Sequence, residues 1–113
     1  MINPHKGEVA FTADERRYVL HYSIDAICAL EESAGKGFPA LVQEMADPDK
    51  MSVSLLRKVL WAGLREHHPD LTLKDAGELI LGAGGMVGLF PHIERAIAAA
   101  FPAATESGDA RPQ

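Results

Sequence analysis

Two segments near the start of the chain, residues 7–12 and 17–23, place their large apolar side chains on one face each. The apolar positions are Val9, Phe11, Tyr18, Leu20 and Tyr22. Alternation with a period of two predicts β-strands, and the polar connector 13–16 has the length of a hairpin loop. Because a lone hairpin is only marginally stable in water, one of its faces should pack on the rest of the chain.

Beyond the hairpin, apolar residues recur at helical spacing and predict four or five helices. Ser23 is an N-cap for the first helix and Gly35 ends it, with Ile24, Ile27, Leu30 and Ala34 as its apolar stripe and Cys28 at the edge. The later helices are predicted over 39–46, from Ser52 or Ser54 to about Glu66, from a capping box at Thr72 to the glycines after Leu81, and along Leu89 to Phe101. Pro91 either belongs to the first turn of the last helix or kinks it.

The third helix should be the central one, because apolar residues cover most of its circumference. Its main apolar face comprises Val53, Leu56, Val59, Leu60, Gly63 and Leu64. The expected fold class is therefore α+β, mostly α, with an N-terminal antiparallel β-hairpin packed on four or five helices. A single domain is expected over residues 1–102, with a disordered C-terminal tail over 103–113, where Ala, Ser, Gly, Asp and Pro dominate.

The composition of the chain excludes several classes of function. The chain has 113 residues and a formal net charge of −5 without a cluster of Lys and Arg, so it lacks the electrostatic footprint of a nucleic-acid binder. One cysteine excludes an intramolecular disulfide. No apolar run has the length of a membrane span, and no secretory signal is recognised. A cytoplasmic bacterial protein is expected, with no membrane partner.

Four features could carry chemistry, and each has a plainer explanation. His68-Pro69-Asp70 matches the tripeptide of J-domain co-chaperones, which stimulate an Hsp70 partner, but a plain loop between helices is the better explanation, because the helix before it is not strongly basic and the chain opens with a hairpin. The adjacent His67 and His68 point about 100° apart on a helix end, so they rarely share a metal ion. Cys28 fits a small buried thiol, and the glycines at 82, 84 and 85 fit a helix end. No catalytic residue, metal site or cofactor is predicted.

Glu31 is the least expected polar residue, since it falls within the apolar arc of the first helix. A carboxylate there is costly unless it is paired or near the surface. Two explanations stay open: a partly exposed residue paired with a nearby Arg, or a polar anchor at a partner interface.

Three sequence blocks together resemble the gene-transfer-agent tail protein family of alphaproteobacteria, which is grouped with phage tail assembly chaperones. They are Asn3-Pro4-His5-Lys6-Gly7-Glu8-Val9, Ala26-Ile27-Cys28-Ala29-Leu30-Glu31-Glu32, and Leu60-Trp61-Ala62-Gly63-Leu64-Arg65 followed by Leu71-Thr72-Leu73-Lys74-Asp75-Ala76. The resemblance covers roughly residues 3 to 101. It implies a non-enzymatic role in tail morphogenesis, encoded in a prophage-like gene cluster, with the tape-measure protein and other tail proteins as partners.

The same family is labelled both tail tube protein and tail assembly chaperone. Tail tubes are rings of sheet-rich subunits, and two strands are too little sheet for such a ring. We therefore expect an assembly chaperone that binds the helical tape-measure protein, with a structural tail component retained in the particle as the alternative and a J-domain-like regulator as a third reading. The oligomeric state, a homo-oligomer included, stays open.

A chaperone for a helical client needs an apolar groove. We expect it between the third and fifth helices, near Trp61, Leu64, Phe90 and Ile93, because Trp61 lies off the main apolar stripe and tryptophan is enriched among interface anchors. Trp61 as an ordinary core residue is the competing explanation.

Overall fold

The computed structural model describes residues 7–101, which form two strands followed by five helices. The elements are β1 (Glu8–Ala13), β2 (Arg16–His21), α1 (Ile24–Ala34), α2 (Phe38–Ala46), α3 (Val53–Leu64), α4 (Leu73–Gly82) and α5 (Gly85–Ala100). The predicted fold class is confirmed, because the two strands pair as an antiparallel hairpin ahead of the helices. The single domain over 1–102 stays a prediction, and the tail over 103–113 lies outside the described residues.

The hairpin turn is tighter than the sequence predicted. Ala13 pairs with Arg16, so only Asp14 and Glu15 connect the strands, with φ angles of 53° and 67°. Two central residues with positive φ match the right-handed twist of the strands. Aspartate tolerates this region, whereas glutamate is seldom chosen for it. The backbone N–H of Asp14 donates to the carbonyl of Gly82 at 3.3 Å, which holds the turn against the end of α4.

One face of the hairpin packs on the helices, as predicted. Phe11, Tyr18 and Leu20 are buried there. The central position of α3 is also confirmed, since this helix contacts α1, α4, α5 and β2. The prediction that Val53 and Ile24 belong to the packed apolar stripes is wrong. Val53 is 57% exposed and Ile24 is 68% exposed. Each is the first residue of its helix, where the side chain lies at the edge of the packed layer.

The close approach of α3 to the hairpin depends on Gly63. The Tyr22 hydroxyl donates to the carbonyl of Val59 at 2.7 Å, which holds the ring across α3. A Cβ added at Gly63 would lie 2.6 Å from Cζ of Tyr22 and 2.9 Å from Cδ2 of Leu20. Only glycine therefore leaves room for the ring at this crossing.

The N-caps predicted for α1, α3 and α4 are confirmed, whereas α5 begins earlier than predicted. Thr72 and Asp75 form the predicted capping box at the start of α4. However, α5 already begins at Gly85, so Pro91 lies inside the helix and not in its first turn. Gly84, with φ of 96°, lets the chain turn sharply there. The axes of α4 and α5 consequently differ by 110°.

Candidate functional site

The four predicted groove residues do not form one exposed groove. Leu64 and Ile93 are fully buried in the common core, while Trp61 and Phe90 are half-buried and pack against it. Of the four residues, only Trp61 and Phe90 are therefore accessible to a partner, and Leu64 and Ile93 are not.

The indole of Trp61 is partly covered by its own helix. The guanidinium carbon of Arg65 lies 5.4 Å from the centre of the indole ring, within the range of a cation–π contact. Nη1 of Arg65 also donates to Oδ2 of Asp25 at 3.1 Å. Because Asp25 belongs to α1, this ion pair joins the end of α3 to the start of α1.

The most exposed large apolar side chains lie where α4 meets α5. Leu81 is 83% exposed and Val87 is 88% exposed. They flank the glycine-containing bend, one on the last turn of α4 and the other on the first turn of α5. We call these two residues the α4–α5 corner. The sequence analysis missed the corner, although the apolar residues on either side of three glycines were its signal.

Glu31 makes a contact that neither sequence-based explanation included. Its Oε2 accepts a hydrogen bond of 2.7 Å from the backbone N–H of Phe38. Gly37 occupies the N-cap of α2 and has no side chain to cap that helix. Glu31 therefore caps α2 from α1, and its predicted pairing with an Arg is wrong. A role of Glu31 at a partner interface stays a prediction.

His68, from the His-Pro-Asp tripeptide, is used within the fold. Its Nε2 accepts a hydrogen bond of 3.1 Å from the backbone N–H of Val19 on β2. Its ring also lies 5.2 Å, centre to centre, from the ring of Tyr18. Burial lowers the pKa of His68, and the positive charges that His67 and Arg16 can carry lower it further. All of these effects favour the neutral ring that accepts from Val19.

Cys28 is exposed, so the predicted buried thiol is wrong. It lies on the outer side of α1, in a shallow cleft beside Glu31 and Glu32. Nucleophilic catalysis needs a base within hydrogen-bonding reach of the thiol. The cleft is lined by Cys28, Glu31, Glu32, Gly35, Lys36 and Gly37, and it contains no histidine.

A group of three metal-ligating side chains occurs within the part of the chain that the structure describes. Glu8, His21 and His67 each bring one ligand atom within 4.8 Å of the other two. Nε2 of His67 lies 3.1 Å from Oε2 of Glu8, and the rings of His21 and His67 are 6.2 Å apart. The sequence analysis missed this group because its members are far apart along the chain.

Within the described residues, no single helix is long and apolar enough to cross a membrane. The corresponding length and hydropathy are reached by α4 and α5 only when they are taken together across their bend of 110°.

One of the comparisons with known proteins identifies a family. Residues 6–103 match the family model described as phage tail tube protein, GTA-gp10. No match is found among the curated proteins or among the solved structures.

Proposed function

Since the chain belongs to the family described as phage tail tube protein, GTA-gp10, we propose that it acts in tail morphogenesis as an assembly chaperone for the helical tape-measure protein. The observation that carries this proposal is the small amount of sheet. The described residues contain two strands of six residues each and five helices. A tube ring is built from subunits with enough strands to form a sandwich or barrel.

The hairpin is also poorly suited to extending a sheet between subunits. One face of the hairpin is buried against the helices. At the outer edge of β2, the N–H of Val19 already has His68 as its acceptor. A neighbouring strand that paired along β2 would have to displace this histidine.

A helical client could dock through its own apolar stripe at the α4–α5 corner. Leu81 and Val87 offer apolar side chains that the fold leaves exposed. Exposed apolar side chains that form a patch mark interaction sites, and these two lie on either side of the bend between α4 and α5. Trp61 and Phe90 are the second candidate surface, with Leu64 and Ile93 as the core beneath it.

The first experiment is quantitative mass spectrometry of purified particles and of lysate from the same cells. A chaperone that acts in the cytoplasm should be abundant in lysate and absent from particles. A stoichiometric amount in particles would instead make this protein a structural tail component, which is the second candidate function. That candidate is favoured by the description of the family as a tail tube protein.

The binding surface is tested separately, with purified tape-measure protein. Replacing both Leu81 and Val87 by Gln should weaken binding at least about tenfold without loss of stability, because neither side chain is packed in the core. The matched control is Ile24→Gln, since Ile24 is also exposed but lies on α1. Equal binding by the corner variant and the control would refute this surface. Trp61→Ala then tests the second surface.

A further inference from the structure

Glu8, His21 and His67 meet on the side of the hairpin that faces away from the core. Glu8 and His21 are direct cross-strand partners in the register of β1 and β2. Side chains of such a pair leave the same face of the sheet and lie close together. His67 comes from the loop after α3 and reaches the same place from outside β2. Three separate elements therefore supply one cluster.

The position of His67 is set by its neighbour. The N–H of His68 donates to the carbonyl of Leu64 at 2.7 Å, which continues the turn of α3 by one step. Its ring is then held on β2 by the N–H of Val19. Since Val19 is two residues before His21, this anchor places His67 beside the His21 side chain. His68 is thus a positioning residue for the cluster.

We propose that Glu8, His21 and His67 bind a zinc ion, which fastens the hairpin to the end of α3. Two imidazoles and one carboxylate are a common donor set for zinc, with a fourth position left for water or another ligand. Zinc bonds to such donors are about 2.0–2.2 Å long, so two ligand atoms of a tetrahedral site lie about 3.3 Å apart. The separation of Nε2 of His67 and Oε2 of Glu8 is already 3.1 Å.

The surroundings of the cluster also favour a bound cation. Nδ1 of His21 is buried and has no hydrogen-bond partner among the described residues. A buried polar atom without a partner is uncommon and calls for an explanation.

This inference revises the sequence-based expectation that the chain has no metal site. That expectation considered His67 together with His68, whose side chains diverge. The fold instead sends His68 to the backbone of Val19 and leaves His67 to meet Glu8 and His21. The inference does not depend on the proposed chaperone function.

The test uses the full-length, tag-free chain carrying Cys28→Ser, because an exposed thiol could bind zinc on its own. The protein is treated with a chelator, dialysed and titrated with zinc chloride in a calorimeter. We expect one zinc per chain and a higher midpoint of thermal unfolding with zinc than without it. Glu8→Gln, His21→Asn and His67→Gln should each weaken zinc binding at least about tenfold.

The matched control is His92→Asn, since His92 is a histidine on α5 outside the cluster. It should bind zinc like the parent. Each variant is compared with its own zinc-free form, so a loss of basal stability does not affect the result. The absence of one-to-one binding, or unchanged zinc affinity in the variant lacking both His21 and His67, would overturn the proposal. Cobalt gives a second measurement: intense visible absorption indicates four-coordinate binding, and a weak six-coordinate spectrum would also overturn it.

Discussion

Gly63 tests whether the hairpin and α3 are packed as closely as the structure shows. In Gly63→Ala the new Cβ would lie 2.6 Å from Cζ and 2.7 Å from the hydroxyl oxygen of Tyr22. Ordinary contacts of a Cβ begin at 3.4 Å, so α3 or the ring must shift by up to about 0.8 Å. The ring resists this shift because it is 1% exposed and bonded to the carbonyl of Val59.

The expected size of the effect follows from three contributions. Overpacking of this kind costs about 1–3 kcal/mol. A weakened hydrogen bond between Tyr22 and Val59 costs about 1 kcal/mol more. Replacing a glycine inside a helix by alanine returns about 1 kcal/mol. Gly63→Ala should therefore lower the free energy of unfolding by about 1–3 kcal/mol.

Gly77→Ala is the matched control, because Gly77 also lies inside a helix. Its new Cβ would lie 3.0 Å from Cδ and 3.7 Å from Cγ of Arg57. Neither backbone nor a ring is in the way, and Cδ has to shift by only about 0.4 Å to reach an ordinary contact, so the variant should be neutral or gain up to about 1 kcal/mol. The two variants should thus differ by about 1–4 kcal/mol.

Urea unfolding followed by circular dichroism and by the fluorescence of Trp61 measures both variants. At an m-value of about 1.5 kcal/mol per molar urea, the expected difference separates their midpoints by about 0.7–2.7 M. Adding Tyr22→Phe to Gly63→Ala removes one of the clashing atoms, so alanine should cost less in that background. A Gly63→Ala chain as stable as Gly77→Ala would refute the packing described for α3.

Three further predictions concern caps and buried polar groups. Glu31→Gln should cost about 1 kcal/mol of unfolding free energy by weakening the cap of α2, while the exposed neighbour change Glu32→Gln should cost little; equal urea midpoints would contradict this assignment. Tyr22→Phe should cost about 1 kcal/mol by removing a buried hydrogen bond, and a gain in stability would show that the bond contributes nothing. Burial lowers the pKa of His68, and burial followed by the nearby Arg95 lowers that of His92, both from 6.5. Below pH 6.5 the folded chain therefore binds fewer protons than the unfolded one. The contribution of these two histidines to the free energy of unfolding should be fully present above pH 6.5 and should be lost as the pH falls below it. Urea midpoints measured with a chelator should fall from pH 7 to pH 5, and a flat profile would exclude this linkage.

Local signals in the sequence were enough for most of the secondary structure. Ser23 caps α1 and Gly35 ends it in the left-handed conformation, as predicted. The capping box of Thr72 and Asp75 likewise fixed the start of α4. Each of these signals acts within about four residues, so its effect does not depend on how distant parts of the chain pack.

The errors fall where the outcome depends on distant residues. The turn at Asp14 and Glu15 lacks the Asn-Gly or Asp-Gly signal of a two-residue loop. It is held by the hydrogen bond from the N–H of Asp14 to the carbonyl of Gly82, a residue far along the chain. Glu31 looked misplaced on its own helix because its partner, the N–H of Phe38, belongs to the next one. Leu64 and Ile93 were predicted beside a groove, but a sequence stripe does not reveal which of its members the neighbouring helices cover.

The His68-Pro69-Asp70 tripeptide shows why a short motif carries little functional information without its surroundings. The same three residues occur both in ordinary loops between helices and in a co-chaperone signature. What separates these readings is the partner of the histidine ring, and here Nε2 is occupied by the N–H of Val19. An ATPase that engaged this ring would have to release the edge of β2 and expose a backbone donor, at a cost of about 1–3 kcal/mol. The histidine of the tripeptide is therefore better explained as a structural contact that holds the hairpin against the end of α3. We expect that the chain does not stimulate an Hsp70.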